Sequence, residues 1–219
     1  MTTPQLYGYF RSSAAYRVRI ALNLKGLSVQ HVPVHLLRNG GEQLADGYRA
    51  RNPQALVPLL VEDDWQLSQS LAILEYLEET HPQPQLLPGD ARQRAHIRQL
   101  ALLVACDVHP LNNLRVLKYL KHALGTDDAA KETWIRHWID LGFGALEAML
   151  APGGRDTPRF CVGDTPTLAD CCLVPQLFNA RRFGIDVDSA YPTLAAIERT
   201  CAALPAFADA HPSRQPDAE

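Results

Sequence analysis

The chain has little that would commit it to a membrane, a nucleic acid or an oxidising compartment. None of its apolar runs approaches the ~20 residues that a bilayer-spanning helix needs. The start, Met-Thr-Thr-Pro-Gln, lacks the basic region and apolar core of a secretory signal. A net charge of −3 offers no positive field for phosphate backbones or anionic lipid. Five cysteines (Cys106, Cys161, Cys171, Cys172 and Cys201) are an odd number without a C-x-x-C spacing. That argues against a disulfide framework and against zinc, and favours small buried hydrophobes. The eight histidines are scattered. His31 and His35 share a face of one expected strand but have no third ligand, so no metal site is predicted. No internal repeat or low-complexity segment is visible. These absences predict a cytoplasmic protein with no membrane or nucleic-acid partner.

What is present is a core. The 219 residues are 47% hydrophobic, enough for one large domain or two small ones. Residues 82–90, Pro-Gln-Pro-Gln-Leu-Leu-Pro-Gly-Asp, have the composition of a linker. The predicted domains are therefore 1–81 and 91–219, joined by 82–90. The first reads β-α-β-(short α)-β-β-α. Leu6 to Phe10 is a strand. Val18, Ile20, Leu22 and Leu24 give the next segment the apolar side of a helix, closed by Lys25-Gly26. Residues 29–36 alternate as a second strand, where Pro33 suits an edge. Leu56–Val61 reads as a third strand with Pro58 inside it, which an edge position or a cis bond would reconcile. A short strand around Trp65–Leu67 leads to a helix opened by Ser68-Gln69-Ser70.

Beyond the linker the period is helical. Asp90 can cap the first helix, and Pro110 should break or kink it. Trp134, Trp138, Leu141 and Ala145 mark another. Thr167-Leu-Ala-Asp170 is a capping box ahead of the apolar run Cys171 to Leu177, a folding signal for a buried helix. A last helix is expected from Pro192 to Leu204, followed after His211 by a polar, loosely packed tail.

The chain is organised around residues 11–26: a strand, the hydroxyl pair Ser12-Ser13, then a helix. A helix start offers unpaired N–H groups and a positive dipole end. Hydroxyls there can hold an anion such as a thiolate, and they serve equally as ordinary N-caps.

The wording of these segments goes further. Tyr9-Phe10-Arg11-Ser12-Ser13, followed by Arg17-Val18-Arg19-Ile20-Ala21-Leu22, resembles the signature of the zeta-class glutathione transferases, the maleylacetoacetate and maleylpyruvate isomerases. Asn52-Pro53-x-x-Leu56-Val57-Pro58, Gln69-Ser70-Leu71-Ala72-Ile73, Asp107-Val-His109-Pro110-Leu-Asn112-Asn113, Gly163-Asp164-x-Pro-Thr167-Leu-Ala-Asp170 and the tail His211 to Asp217 are similar to further segments of that family. The resemblance covers essentially the whole chain. It implies the glutathione transferase fold: α/β plus all-α, a thioredoxin-like domain followed by a helical domain that contributes the substrate site. It implies glutathione as cofactor, a homodimer, and cis–trans isomerisation of a small diketo acid with glutathione's own sulfur as nucleophile.

Residue by residue, the resemblance favours Ser12, by its place in the motif, as the thiol's hydroxyl partner with Ser13 its neighbour; sequence alone does not separate the two. Such a partner matters because a thiol of pKa near 8.5 is only about 3% ionised at pH 7, and a shift of about two units needs roughly 2.7 kcal/mol. Val57 would pair with the cysteinyl main chain, Gln69 and Ser70 would take the γ-glutamyl carboxylate, and Gln43 the glycyl end. Arg17 and Arg19, deeper in the first helix, are expected to make structural contacts, although Arg17 could edge the site; His109, Asn113 and Arg115 would face it from the helical domain. Arg11 and Arg182 are expected to hold the substrate's carboxylates or its developing enolate. One position departs from the class: Ala14 stands where a cysteine is usual. That disfavours glutaredoxin-like exchange. A general transferase for electrophiles and a non-catalytic binding protein remain as alternatives.

Overall fold

The structure, a computed structural model, describes residues 2–151 and 159–219. The chain divides into two compact units. One holds the residues up to Leu86 together with Ala203–Glu219; the other is Leu87–Ala202.

The first unit is built on a four-stranded sheet. Its strands are β1 (Gln5–Gly8), β2 (Gln30–Pro33), β3 (Leu59–Glu62) and β4 (Trp65–Ser68), in the order β2-β1-β3-β4. β1 and β2 are parallel, joined through helix α1 (Ser13–Leu24). β1–β3 and β3–β4 are antiparallel, with Leu6 opposite Leu60 and Leu60 opposite Leu67. Pro33 ends an edge strand, where its missing N–H costs no ladder bond. β3 is central, so the edge reading of Pro58 is corrected. The Val57–Pro58 bond is cis, and Pro58 lies just ahead of the strand rather than in it.

Helix α2 is one turn (Asp46–Arg49), and α3 spans Ser70–Thr80. α1 packs against α3 and against α10 (Pro205–Ala210), a helix not anticipated from sequence because Pro205 starts it only a few residues after the preceding one ends. With neighbours on more than one side, α1 buries nearly every residue from Ser13 to Leu22, including Arg17 and Arg19. Gly26 closes it at φ +66, the left-handed conformation that glycine adopts freely. Lys25, which caps the helix, is buried. Its ammonium donates to Glu78 Oε2 at 2.8 Å and to the carbonyls of His81 and Pro84 at 2.6 and 3.0 Å. A buried ammonium needs such compensation.

The polar tail is anchored rather than loose. Pro212 is buried, Gln215 Nε2 donates to the carbonyls of Asp209 and His211, and Asp217 accepts from the Phe10 amide.

The second unit is helical: α4 (Ala91–Leu102), α5 (Leu114–His122), α6 (Asp128–Leu150), α7 (Leu168–Arg182), α8 (Val187–Ala190) and α9 (Pro192–Ala202). Asp90 caps α4 through the amides of Arg92 and Gln93. α4 does not simply kink at Pro110. It widens into a π turn at Leu103–Val108, tightens into a 3₁₀ turn at Pro110–Asn112, and restarts as α5. Ala91–His122 is long and apolar enough to pass for a membrane span by length and composition, yet these turns interrupt it. Gly142 on α6 lets the π turn come close: a Cβ there would stand 2.1 Å from Val108 Cγ2. The buried stripe of α6 is Ile135, Ile139, Phe143, Leu146 and Leu150, whereas Leu141 is exposed, so the phase read from Trp134-Trp138-Leu141 was rotated. α7 is buried along most of its length and packs on α4 and α9.

Candidate functional site

In the first unit the candidate residues gather at two helix starts and two loops. Ser12 is the N-cap of α1. Its Oγ accepts from the Ala15 amide at 3.2 Å, and its own amide donates to the Tyr9 carbonyl at 2.9 Å, closing the turn Tyr9–Ser12. No acidic residue lies in the first turn. The Ser12 hydroxyl thus spends one lone pair on capping and keeps its proton for a ligand. Ser12 is half-buried and Ser13 buried, which separates two serines that sequence left equivalent. Arg11 lies on the turn, with Nη2 donating to the Tyr9 hydroxyl at 2.8 Å and its guanidinium over the Phe10 ring.

The second start is that of α3. Gln69 caps it at φ +73, ψ 112, a conformation that a side chain rarely adopts and that costs on the order of 1–3 kcal/mol. Strain of this kind persists where surrounding structure imposes it. Gln69 Nε2 donates to Gln54 Oε1 at 2.8 Å. Ser70 is buried, and its Oγ accepts from Arg17 Nη1 at 3.2 Å. Arg17 is 2% exposed, so it stands behind Ser70 rather than at the edge of a surface. This bond ties α1 to the start of α3.

The loops complete the set. Leu56 O accepts from both the Tyr48 hydroxyl (2.6 Å) and Asn52 Nδ2 (2.8 Å), which fixes the backbone leading to Val57 and the cis Pro58. Burial pushes the Tyr48 phenol up to about 12, so it stays an O–H donor. Val57 packs on Val34, Tyr48, Leu59 and Val61. Gln43 lies on a 3₁₀ turn, buried, and its Oε1 has no partner among the described residues. A buried amide oxygen of this kind calls for a donor from a ligand or water. Tyr48, Asn52 and Gln54 were not singled out as support for the site. Asn52 was visible only as part of a motif, and nothing marked Gln54 as the partner of Gln69.

In the helical unit the candidates sit around the break after α4 and at the end of α7. His109 joins the π turn to the 3₁₀ turn. Asn113 caps α5, accepting from the Arg115 amide at 3.1 Å. Arg115 and Arg182 are exposed; Arg182 Nη1 donates to Asn179 Oδ1 at 3.3 Å. Asn112, visible in the sequence only as part of a motif, is buried with both amide atoms unpartnered among the described residues. Thr167 and Asp170 form a closed capping box. Asp170 accepts from the Thr167 amide, the Thr167 hydroxyl and the Cys161 amide at 2.7–2.8 Å. The box serves α7 and takes no part in the site.

A thioredoxin-like sheet with a hydroxyl-capped first helix, a strained cap on α3 and a cis-proline loop, carried with a helical unit, defines a glutathione-transferase-type protein. Family models agree. That for "Glutathione S-transferase, N-terminal domain" matches residues 6–85, and that for the C-terminal domain matches 133–211. A probable maleylacetoacetate isomerase of Vibrio cholerae is 52% identical over 213 residues, 97% of each chain. A maleylpyruvate isomerase of Ralstonia is 48% identical, over 97% of this chain and 99% of its own. A holo structure of a bacterial zeta-class maleylpyruvate isomerase superposes with a TM-score of 0.93 at 48% identity, covering 98% of this chain and 100% of that one. A maleylacetoacetate isomerase of Anaeromyxobacter dehalogenans with glutathione in its active site gives 0.86 at 48%, covering 99% and 98%. The chain belongs to the glutathione S-transferase family, within its zeta class of maleylacetoacetate and maleylpyruvate isomerases.

Proposed function

We propose that the protein is a glutathione-dependent cis–trans isomerase of a maleyl-substituted diketo acid, maleylacetoacetate or maleylpyruvate. The observation that carries this reading is the buried Arg17–Ser70 bond, which couples the Ser12 helix start to the Gln69-Ser70 helix start within one unit. A tripeptide with a thiol at its centre and a carboxylate at each end needs such spaced, mutually fixed donors.

The residues present fit glutathione. Ser12 donates its hydroxyl proton to the sulfur, helped by the positive end of α1. Ser70, held by Arg17, and Gln69, held in its strained conformation, take the γ-glutamyl carboxylate. The Val57 main chain pairs with the cysteinyl residue, and Gln43 serves the glycyl end, where its amide N–H can donate to the carboxylate and its orphan Oε1 can accept only from an N–H. When bound, glutathione supplies a thiolate nucleophile that is regenerated in each turnover. Arg11, close to Ser12 on the same turn, stabilises enolate charge as it develops. On the family resemblance alone, Arg182 is assigned to a substrate carboxylate, and His109, Asn113 and Arg115 to glutathione. Ala14 leaves no protein thiol at this start, consistent with isomerisation that needs none. The homodimer and the cytoplasmic location belong to the same proposal and rest on the family.

The test is a coupled assay of the purified protein on maleylacetoacetate and maleylpyruvate separately, with and without glutathione. Glutathione-dependent turnover is expected, and the ratio of the two kcat/KM values names the substrate. No turnover on either, with conjugation of a generic electrophile intact, would replace the isomerase with a general transferase.

A further inference from the structure

The turn that presents Arg11 and Ser12 is held from outside itself. Its first inner residue, Phe10, has its carbonyl and its amide engaged by different parts of the chain. Phe10 O accepts from Arg19 Nη2 at 3.0 Å, and Phe10 N donates to Asp217 Oδ2 at 3.0 Å. Arg19 is in turn fixed by the Ala210 carbonyl, which its Nε reaches at 3.1 Å. Asp217 is held in place by the anchoring of its own segment: the buried Pro212 and the two bonds of the Gln215 amide to the end of α10.

The same segment reaches a second loop. Glu219 pairs with Arg38, and its Oε1 lies 3.4 Å from His35 Nε2. His35 Nδ1 accepts from the amides of Leu37 and Arg38, which places its proton on Nε2, toward Glu219. The His35 amide donates to Glu42 Oε2, and the Glu42 amide returns a bond to the His35 carbonyl. Gln43 follows directly. The segment 215–219 therefore grips both the turn before Ser12 and the loop before Gln43. Arg38–Glu219 is an exposed pair, worth little by itself. The bond to Phe10 involves a charged acceptor and a buried residue, and is the stronger grip.

We propose that Asp217 is a positioning residue for the site: by accepting the Phe10 N–H it fixes the Tyr9–Ser12 turn and so aims the Ser12 hydroxyl and Arg11. The proposal rests on the reading of Ser12 as the thiol's partner. It accounts for a carboxylate far along the chain bonding to the residue two before Ser12. It also separates the two grips: Asp217 acts on the thiol, Glu219 on the loop of Gln43.

The full chain carries the test, in Asp217→Ala and Asp217→Asn variants checked for folding by circular dichroism. The ultraviolet absorbance of the thiolate, titrated with pH, gives the pKa of bound glutathione; turnover gives kcat and KM. In Asp217→Ala the bound thiol is expected to move up by about half a unit to one unit, and kcat to fall by about three- to tenfold with KM within about twofold. Asp217→Asn keeps an oxygen acceptor and is expected within about twofold of the parent. A merely structural residue would lower the melting temperature without moving the thiol pKa of the folded protein. A folded Asp217→Ala with the parent's thiol pKa and kcat would overturn the proposal, as would equal losses in both variants. Should Asp217→Ala fail to fold, Pro216→Gly, at an exposed position, loosens the segment while keeping the carboxylate. A smaller upward move of the same pKa is expected there, and none would overturn the proposal. A parent protein that ionises bound glutathione but does not isomerise either diketo acid would sink the isomerase reading and leave the Asp217 test intact.

Discussion

Helices α1 and α7 begin with the same kind of residue and put it to opposite ends. At α7 the Thr167 hydroxyl caps the helix, and Asp170 closes the box by accepting from the Thr167 amide and hydroxyl and from the Cys161 amide. Both residues are fully buried, and the donors within reach are spent. At α1 the Ser12 hydroxyl caps the helix alone, with no carboxylate in the first turn and part of its surface open. One start is saturated from within the chain. The other keeps donor capacity for something outside it. The sulfur atoms nearby make the same point. Burial pushes the Cys161 and Cys201 thiols beside Asp170 up, and the carboxylate adds to it, so they stay protonated. A thiol brought to Ser12 meets a helix dipole and a hydroxyl donor, which favour the thiolate.

The contrast can be broken first at α7. Asp170→Ala leaves the Cys161 and Thr167 amides, the Thr167 hydroxyl and the Cys201 thiol without their acceptor, and should cost about 3 kcal/mol or more of stability in urea unfolding. Activity per folded molecule should stay near that of the parent, because this start does no chemistry. At α1 the pattern inverts. Ser12→Ala should lower kcat/KM about a hundredfold, while unfolding changes by only about 1 kcal/mol for the lost cap. Comparable losses of stability in the two variants, with activity spared in Ser12→Ala, would reduce Ser12 to a cap.

The start of α3 sharpens the comparison. Gln69→Gly relieves a left-handed side chain, and should raise stability by about 1 kcal/mol while weakening glutathione about tenfold in isothermal titration. A gain in both would mean that the strain at Gln69 serves nothing. The smallest effect is an expected silence. Iodoacetamide at about pH 8 should modify exposed Cys106 and spare Cys161 and Cys201 in the native protein, as read by peptide mass spectrometry.

Much of this was legible in the sequence, and the limits have physical reasons. The strand–serine–helix start was read correctly, as were Pro33 at an edge and the Thr167–Asp170 box, because caps and breakers act over a few residues. Glutathione and the isomerase family came from class-specific wording rather than from periodicity. What escaped depends on distant parts of the chain. Arg17 behind Ser70, Arg19 on Ala210 and Asp217 on Phe10 are bonds that no local pattern encodes. Pro58 falls inside the expected strand because a hydrophobic run does not show where pairing begins; of the two ways of accommodating it, the cis bond is the one present. The phase of α6 was misread because two tryptophans dominate a period whose buried stripe runs beside them.

The first unit is discontinuous, and that bears on how the molecule is made. Chains emerge from the ribosome N-terminus first, and domains tend to fold as they appear. Here β1 and α1 are synthesised at the outset, yet the helix that packs on α1 and the carboxylate that holds Phe10 belong to Ala203–Glu219. The unit made first is finished last. A nascent or truncated chain therefore cannot display the completed Ser12 turn, and the thiol-handling start of α1 matures only once the helical unit has been translated.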